Sequence, residues 1–556
     1  MRGKGQRAKG RGATPFALYP AVQVYNPPTV HGRTPVRFKI ADDPYEFDQI
    51  AGLLYRTFVE EIPQHSANAN RRHVDRFHKQ NTYLVAKAGD EVVGTIAVRG
   101  VRPFSLDQKL GSVDPFLPKG RRVCELRLLA VEPSFRSGQV FRGLVESVVR
   151  EGRIKGFDLA IISGTTRQTK LYRHLGFEPF GPLVGTEDAP FQPMYLTFEK
   201  FLSAAPKAVT DNEPMSFLPG PVPLAPAVRD AFAKQPVYHR DAEFQQSFGR
   251  TKSRLCRLTT ADRVEILVGT GTLANDAVAA QLSLLESPGV ILSNGEFGRR
   301  LIDHARRHRL PHAAIESPWG SPLNLDAATE AVERTGATWV WAVASETSTG
   351  MLNDLAGLRK FAAARHLKLC LDCVSAIGAI PLNLKGVYLA SGASGKALAS
   401  YPGLSFVFYD HDLEPQPDRL PRYIDIGYYA DKDGVPFTHS SNLLAALDAA
   451  LDHFDTDEPF AQLNEFANLM RPGLRRLGWA PLVEGPLATP AVITVALTNG
   501  YRASEIGASL ARQGLVVAHH SEYLAQRNWF QVSLMGHRTA EPFECLLAAL
   551  GRLVHH

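Results

Sequence analysis

The sequence has only five cysteines, and no apolar run reaches the roughly 18 residues that a membrane-spanning helix needs. So few thiols do not provide the disulfide framework of a small secreted domain. The first residues also lack the apolar stretch of a secretory signal peptide. These absences predict a cytoplasmic protein without a membrane span.

The sequence also has no strong excess of charge of either sign, because the net charge is only +6 at pH 7 for 556 residues. An acidic polymer is therefore not required as a partner. Part of this positive charge lies in residues 1–34, at whose start basic residues such as Arg2, Lys4 and Arg7 alternate with glycine. We expect a disordered, solubilising arm here rather than a segment that binds nucleic acid or a membrane.

A CxxC spacing occurs once, at Cys370 and Cys373, without a second pair to complete a metal site. On a strand, residues three positions apart point to opposite faces. We therefore predict core packing for both thiols, and no metal.

One lysine, Lys396, lies among the small residues of 391–398, directly after an apolar run. Upstream, Asp372 lies in another apolar, strand-like run, where a buried carboxylate needs a charged partner. Further upstream, residues 264–268 lead through 269–272 into a helical pattern, which directs backbone N–H groups and hydroxyls at a phosphate. Together these features predict a pyridoxal-phosphate (PLP) site.

Six motifs occur in a characteristic order. They are Leu218-Pro219-Gly220-Pro221, Gly269-Thr270-Gly271-Thr272, Asn294-Gly295-Glu296-Phe297-Gly298, Ser345-Glu346-Thr347-Ser348-Thr349-Gly350, the Asp372 strand and the Lys396 segment. This part of the chain resembles the class V, fold-type I PLP-dependent aminotransferases. The resemblance implies a large domain with a mainly parallel sheet (216–445), a small α/β C-terminal lobe (446–556) and a homodimer. It implies amino-group transfer between an amine or amino acid and an oxo acid or aldehyde.

The same resemblance implies a role for each matching residue. Lys396 would bind the cofactor covalently and move a proton, and Asp372 would keep the ring nitrogen protonated. Phe297 would stack on the ring, and the Thr347 hydroxyl would lie beside it. Thr438 would reach the phosphate across the dimer interface. The phosphate turn would contribute Thr270, Gly271 and Thr272.

One position departs from the family pattern. Where the family has an arginine that binds the substrate carboxylate, this sequence has Gln531. Either Arg538 or Arg240 takes over that contact, or one substrate has no α-carboxylate, as in ω-amines and aminophosphonates. A PLP-dependent lyase or decarboxylase also stays open, because the cofactor site alone does not select the reaction.

Residues 35–202 show a different pattern. Segments 82–88 and 91–99 predict a hairpin, and further strands are predicted at 123–131 and 159–163. Between the last two strands, the apolar stripe of an amphipathic helix is formed by Phe141, Leu144, Val145, Val148 and Val149. This order resembles the GNAT acyltransferase superfamily in its N-acyl amino acid or autoinducer synthase form. It implies a mixed sheet with helices.

In that superfamily, a loop and a helix N-terminus hold the phosphates of an acyl thioester. The matching residues are Arg136, Ser137 and Gly138. Tyr172 would protonate the leaving thiolate, and Glu125 would act as a base toward the acceptor amine. Phe141 replaces a small residue near the phosphate site, so the resemblance leaves both acyl-CoA and an acyl carrier protein thioester open as donors.

Residues 203–215 are polar, small and interrupted by proline, which is typical of a linker. Two functions stay open for the whole chain. The first is a bifunctional enzyme that transfers an amino group and acylates an amine. The second is a single PLP enzyme whose GNAT-like domain only binds an acyl thioester or a carrier protein.

Overall fold

The computed structural model describes residues 36–554, apart from 63, 137, 186–189, 205–213 and 499. The predicted basic arm and most of the predicted linker lie outside the described residues. The chain divides into two compact units, residues 1–212 and 213–556. Within the described ranges, none of the helices combines the length and the apolar character needed to cross a bilayer.

The first unit is built on one mixed sheet. Its strands are β1 (Val36–Ile40), β2 (Thr82–Ala88), β3 (Glu91–Arg99), β4 (Val123–Val131), β5 (Leu159–Thr165), β6 (Glu178–Pro179), β7 (Val184–Gly185) and β8 (Pro190–Thr197). The order is β1-β2-β3-β4-β5-β8-β6, with β7 paired to β8. Only β4 and β5 are parallel to each other among these described strands. The predicted mixed sheet and its β2–β3 hairpin are therefore confirmed.

Helices cover both faces of this sheet. They are α1 (Pro44–Tyr55), α2 (Ser105–Leu110), α3 (Gln139–Lys155), α4 (Thr169–His174) and α5 (Phe198–Ala204). Successive side chains of a strand point to opposite faces. Accordingly, Tyr83 and Val85 of β2 pack with α1, whereas Leu84 and Ala86 pack with α3.

The second unit has a seven-stranded sheet at its centre. Its elements begin with β9 (Met215–Phe217), and the central strands are β10 (Arg263–Gly269), β11 (Gly289–Ser293), β12 (His312–Glu316), β13 (Trp339–Val343), β16 (Lys368–Asp372), β17 (Leu389–Ala393) and β18 (Gly403–Tyr409). The short hairpin β14 (Ser345–Glu346) and β15 (Met351–Leu352) lies between β13 and β16 in the chain. The order is β10-β18-β17-β16-β13-β11-β12. Only β18 runs against its neighbours, so the predicted, mainly parallel sheet is confirmed.

Helices alternate with these strands. They are α6 (Pro226–Phe232), α7 (Ala242–Thr259), α8 (Gly271–Ser283), α9 (Glu296–Arg307), α10 (Leu325–Thr335), α11 (Leu355–Ala364), α12 (Ile426–Asp431) and α13 (Ser441–Leu451). The remaining elements are α14 (Glu458–Arg476), β19 (Val492–Ala496), α15 (Ala503–Arg512), β20 (Leu515–Val517), α16 (Glu522–Arg527), β21 (Trp529–Ser533) and α17 (Glu541–Val554). Apart from α16, these elements share a second hydrophobic core, to which Phe217 of β9 also belongs.

Candidate functional site

Lys396 follows β17 on a segment rich in small residues. Its Nζ donates a hydrogen bond to the carbonyl oxygen of Pro219 at 2.9 Å. A Cβ on Gly220 would lie 3.2 Å from this nitrogen, so the glycine leaves space around the amine. Burial lowers the pKa of Lys396, and the charge of Asp372 opposes that shift. A larger neutral fraction makes the amine a better nucleophile.

Asp372 ends β16, where its register partner on β17 is Ser391. The buried carboxylate accepts hydrogen bonds from Asn275 Nδ2 at 2.8 Å and from the Val374 amide at 2.9 Å. Burial raises the pKa of Asp372, and the two donors oppose that rise. Because parallel strands end at the same edge of a sheet, the acid and Lys396 lie near each other.

The predicted phosphate turn joins β10 to α8 at this same edge, since β10 and β17 are both antiparallel to β18. Helix α8 begins at Gly271, and the Thr270 side chain before it makes no capping hydrogen bond. A Cβ at Gly271 would lie 2.7 Å from a Val374 methyl group, so the helix start packs against the chain that follows Asp372. The side chains of Thr270 and Thr272 are exposed. This helix N-terminus is suited to an anion.

Phe297 lies in the first turn of α9, and that turn is held by Glu346, the last residue of β14, and by Ser348, two residues further on. Glu346 Oε2 accepts a hydrogen bond from the Gly298 amide at 2.9 Å. Ser348 Oγ accepts one from the Glu296 amide, also at 2.9 Å. A distant segment therefore caps this helix and fixes the start of the turn that carries the predicted stacking ring.

Glu346 itself is a residue to which the sequence assigns no role. It is fully buried, and burial raises its pKa to about 7. The Ser348 hydroxyl and the Ser348 amide also donate to its carboxylate. The sequence does carry a sign of this role, because Glu346 is followed by three hydroxyl residues in the motif of residues 345–350.

Gln531 on β21 occupies the position where an arginine was expected. Its Nε2 donates to the carbonyl oxygens of Thr347 at 2.6 Å and Ser348 at 3.1 Å, and to Thr494 Oγ1 at 2.8 Å. Its Oε1 accepts a hydrogen bond from the Tyr523 hydroxyl at 3.1 Å. Both polar atoms of the amide are therefore engaged within the protein. Thr347, the predicted neighbour of the ring, is buried beneath this contact.

The other predicted residues of this unit lie in different surroundings. Arg538 is buried and donates to the carbonyl oxygens of Met535, at 2.9 Å, and Ser216. Burial lowers the pKa of Arg538 to about 10. Arg240 and Thr438 are exposed, and their roles toward a substrate or a partner's cofactor stay predictions.

The assembled residues fit the chemistry of PLP. A helix N-terminus, an amine with a lowered pKa and a buried carboxylate are the contacts that its phosphate, aldehyde and ring nitrogen require. All three lie at the carboxyl edge of one sheet. Gly220 leaves open the space that a side chain would fill beside the amine.

In the first unit, β4 and β5 separate partway along their length. Partners pair only over 123–125 and 159–161, although both strands continue beyond. Within β4, Leu128 has a φ of +56°, a conformation that few residues other than glycine adopt. The strands therefore open a wedge whose backbone groups are suited to pairing with an extended ligand.

The loop after β4 contains the residues predicted to hold phosphates, of which Ser137 lies outside the described residues. The Arg136 guanidinium forms a bidentate ion pair with Glu61, with both distances 2.5 Å, and its Nε donates to the Val131 carbonyl oxygen at 2.9 Å. Gly138 has a φ of +93°, and α3 begins directly after it. Part of the Arg136 charge is thus compensated by Glu61, and its role toward a phosphate stays a prediction.

Glu125 lies where β4 and β5 part, and it anchors the start of α2. Its carboxylate accepts hydrogen bonds from the amides of Ser105 at 2.8 Å and Leu106 at 3.2 Å, and from the Ser105 hydroxyl. The Arg127 Nε lies 3.7 Å away. These contacts fix the carboxylate in place, and its role as a base stays a prediction.

Tyr172 lies on α4, beside the open part of the wedge. A Cβ at Gly164 of β5 would lie 2.9 Å from its ring. The ring also packs edge to face against Phe177, with centroids 6.3 Å apart. The predicted proton donor therefore lies against the part of β5 that has left β4.

Three arginines surround one aromatic ring in this unit. The guanidinium carbons of Arg76, Arg99 and Arg127 lie 4.7, 4.0 and 4.8 Å from the centroid of the Phe77 ring. Arg127 forms a bidentate ion pair with Asp75, at 3.1 and 2.9 Å. We refer to these five residues as the Phe77 cluster.

Arg99 is the most buried cation of the Phe77 cluster, with 1% of the residue exposed. It donates to two neutral oxygens, the Pro103 carbonyl at 3.0 Å and Gln80 Oε1 at 2.8 Å. Burial lowers the pKa of Arg99, as expected for a buried cation. Sequence reasoning missed this cluster because its members come from separate strands and loops.

Comparison with known proteins gives matches in both units. Residues 49–196 match the family described as N-acyl amino acid synthase FeeM. The C-terminal part is 27% identical to 2-aminoethylphosphonate–pyruvate transaminase from Burkholderia thailandensis, over 61% of this chain and 96% of that protein. It is 30% identical to the "Soluble hydrogenase, small subunit" of Synechococcus sp. (strain PCC 6716), over 51% of this chain and 78% of that protein.

A solved structure with the same fold is alanine–glyoxylate aminotransferase from Nostoc sp., with a TM-score of 0.56 and 26% identity. The similarity covers 62% of this chain and 96% of that one. The prediction of a fold-type I aminotransferase fold is therefore confirmed. Residues 49–196 therefore form a domain that matches the N-acyl amino acid synthase family, and the domain after it is homologous to the class V aminotransferases.

Proposed function

We propose that this protein is a bifunctional enzyme, in which a PLP-dependent aminotransferase is joined to an acyl-thioester-dependent N-acyltransferase. The single observation that carries the proposal is the convergence of Lys396, Asp372 and the N-terminus of α8 at one sheet edge. When bound there, PLP would supply an electron-accepting ring. The wedge between β4 and β5 supports the second activity.

We assign each residue of the aminotransferase site the role that the family resemblance implies, which its surroundings in the structure allow. The Lys396 amine would hold the cofactor and would carry a proton to and from the substrate Cα. The Asp372 carboxylate holds a proton on the ring nitrogen. Phe297 would stack on the ring, and Thr347 would lie beside it. The phosphate is bound by Thr270, Gly271 and Thr272 at the start of α8.

We expect the preferred amino donor to lack an α-carboxylate, because Gln531 is engaged within the protein. Without an arginine here, an α-amino acid loses a charge-assisted contact of about 2–3 kcal/mol. Donors such as 2-aminoethylphosphonate or an ω-amine should therefore react with a kcat/KM about tenfold or more above that of alanine. The measurement is the loss of visible absorbance when the PLP-loaded enzyme meets each amine without a carbonyl acceptor.

The control for this panel is Gln531→Arg, which should move the preference toward alanine. A native enzyme that prefers α-amino acids over all other amines would contradict the expected donor class. A purified protein that neither binds PLP nor reacts with any amine would contradict the aminotransferase itself.

In the N-acyltransferase half, the acyl thioester would extend along the wedge between β4 and β5, with its phosphate end at the loop of Arg136, Ser137 and Gly138. Acyl-CoA and an acyl carrier protein thioester are the two donors that this arrangement allows. Glu125 would orient or deprotonate the acceptor amine. The acceptor's carboxylate would be drawn to the Phe77 cluster, whose three arginines outnumber its one acid, Asp75, and the neighbouring Glu125.

Tyr172→Phe should lower N-acyl transfer by about 10²-fold or more, because it removes the proton for the leaving thiolate. The phenyl ring still fills the space against Gly164 and Phe177, so folding should be unchanged. The measurement is thiol release by the full-length protein from a series of acyl-CoA and acyl carrier protein thioesters.

Tyr195→Phe is the matched control, because that hydroxyl donates to Glu178 on the same sheet, at 2.6 Å. It should react like the native enzyme. If the native protein binds thioesters but releases no thiol from any of them, the alternative holds, and the first domain is a binding module for an acyl thioester or a carrier protein.

The remaining elements of the proposal concern assembly. We propose a cytoplasmic homodimer, in which the exposed Thr438 of one protomer reaches the phosphate bound by its partner. We also propose the domain division 35–202, 216–445 and 446–556, joined by the linker at 203–215. Small-molecule amines and oxo acids are the proposed substrates, and neither a metal nor nucleic acid is required.

A further inference from the structure

A buried polar network behind Asp372 carries an inference that rests on the proposed PLP function. Its three side chains come from three elements: Asn275 from α8, Asp372 from β16 and Ser391 from β17. Ser391 Oγ donates to Asn275 Oδ1 at 2.6 Å, and Asn275 Nδ2 donates to Asp372 Oδ2 at 2.8 Å. None of the three residues is more than 6% exposed. Water therefore has little access to replace these bonds.

The chemistry of the groups fixes the direction of the network. An ionised carboxylate only accepts hydrogen bonds, so the Asn275 amide turns its NH₂ group toward Asp372. Its carbonyl oxygen then faces Ser391, whose hydroxyl is able to donate. The Val374 amide holds the second oxygen of Asp372 at 2.9 Å. The carboxylate is thus held in one orientation.

The network also opposes the effect of burial on the acid. Burial raises the pKa of Asp372, and the Val374 amide, the Asn275 amide and the nearby charges of His304 and Lys396 oppose that rise. Among the described residues, Asn275 is the one side chain that donates a hydrogen bond to this carboxylate. Loss of that bond shifts the balance of the acid toward its neutral form. A neutral acid no longer holds the positive charge on a ring nitrogen.

We propose that Asn275 is a positioning residue, which keeps Asp372 ionised and turned toward the cofactor's ring nitrogen, and that Ser391 fixes the orientation of the Asn275 amide. Asn275 lies one turn after Gly271, where α8 begins at the phosphate turn. The first turn of α8 would therefore contact the phosphate of the cofactor. One turn later, the same helix holds the acid that would face the cofactor's ring. The spacing between the two contacts is set by one rigid element.

The test is Asn275→Leu, which keeps a similar volume and removes the donor. Because a hydrogen bond to a charged group is lost, the dissociation constant of the apo-protein for PLP should rise about tenfold or more. It is measured by quenching of tryptophan fluorescence. In the loaded variant, the visible absorbance should also change at higher pH than in the native protein, because a ring that loses its positive charge makes the Lys396 nitrogen a stronger base.

Gln281→Leu is the matched control, since Gln281 is a buried amide on the same helix whose Nε2 has no hydrogen-bond partner within the described residues. It should bind PLP like the native protein. Ser391→Ala removes only the hydroxyl that orients Asn275, and it should weaken PLP binding about threefold.

Native affinity and native pH dependence in Asn275→Leu would overturn the inference. If circular dichroism shows that this variant does not fold, Ser391→Ala decides, and native binding by that variant overturns the inference. If the native apo-protein does not bind PLP at all, the proposed function is wrong and the inference falls with it. PLP binding by the native apo-protein therefore distinguishes failure of the proposed function from failure of the inference about Asn275.

Discussion

Replacing Lys396 by alanine is expected to lower the rate of amino transfer by about 10⁴-fold and to abolish covalent attachment of PLP. The Lys396 amine lies in a space kept open by Gly220, with the Pro219 carbonyl oxygen as its hydrogen-bond acceptor. Burial lowers its pKa, so the neutral amine is more populated than in an exposed lysine. The native protein should be reduced by borohydride onto residue 396, as peptide mapping will show, and the variant should not.

Lys385→Ala is the control, because the Lys385 side chain is exposed and lies outside the site. It should react and be labelled like the native enzyme. A small added amine such as methylamine should restore part of the Lys396→Ala rate, if the missing group is a proton carrier. Borohydride labelling at another lysine, or an unchanged rate, would show that residue 396 is not the attachment point.

The grouping of Gly271, Asp372 and Lys396 at one sheet edge was predictable from sequence, because each of these positions belongs to a local pattern. Gly271 follows a strand and begins a helix, Asp372 ends an apolar strand, and Lys396 follows the next strand. Parallel strands bring such positions to one edge without any further information. The same reasoning accounts for the β2–β3 hairpin, since alternation and a turn define it within a short segment.

The contacts that tune the site were not predictable in this way. Asn275 and Asp372 are 97 residues apart, and Arg127 and Asp75 are 52 apart. Local periodicity carries no information about which polar side chains meet across such distances. Gln531 is an intermediate case. The sequence showed that an arginine was replaced, but only the structure shows where both atoms of the amide are engaged.

Replacing Asp75 by alanine is expected to lower the local stability of the first unit by about 1.5–3 kcal/mol, because Arg127 loses its bidentate ion pair and keeps only the more distant Glu125, 3.7 Å from its Nε. Asp75 is 8% exposed and accepts hydrogen bonds from Arg127, from Asn81 Nδ2 at 3.0 Å and from the Phe77 amide at 2.9 Å. Its removal leaves Arg127 beside the buried Arg99, so like charges face each other in a region of low dielectric constant.

Hydrogen exchange of peptides from β2, β3 and β4 is the suitable measurement. The chain has two compact units, so a single global unfolding free energy is not well defined, whereas exchange reports opening of the strands locally. Glu60→Ala is the control, because it breaks an exposed ion pair with Arg71 in the same unit. It should change the opening free energy by about 1 kcal/mol at most.

The double variant Asp75→Ala with Arg127→Met separates the effect of the lost ion pair from the effect of lost side-chain packing. Removing both charges takes away the cation that lost its bidentate partner, so the double variant should regain part of the stability lost in Asp75→Ala. If the two substitutions are instead additive, Arg127 is not the group that Asp75 compensates. Hydrogen exchange of these strands in Asp75→Ala could be as slow as in the Glu60→Ala control. That result would show that the Phe77 cluster tolerates its positive charge without the acid. The proposal that the cluster attracts a substrate carboxylate would then lose its electrostatic basis.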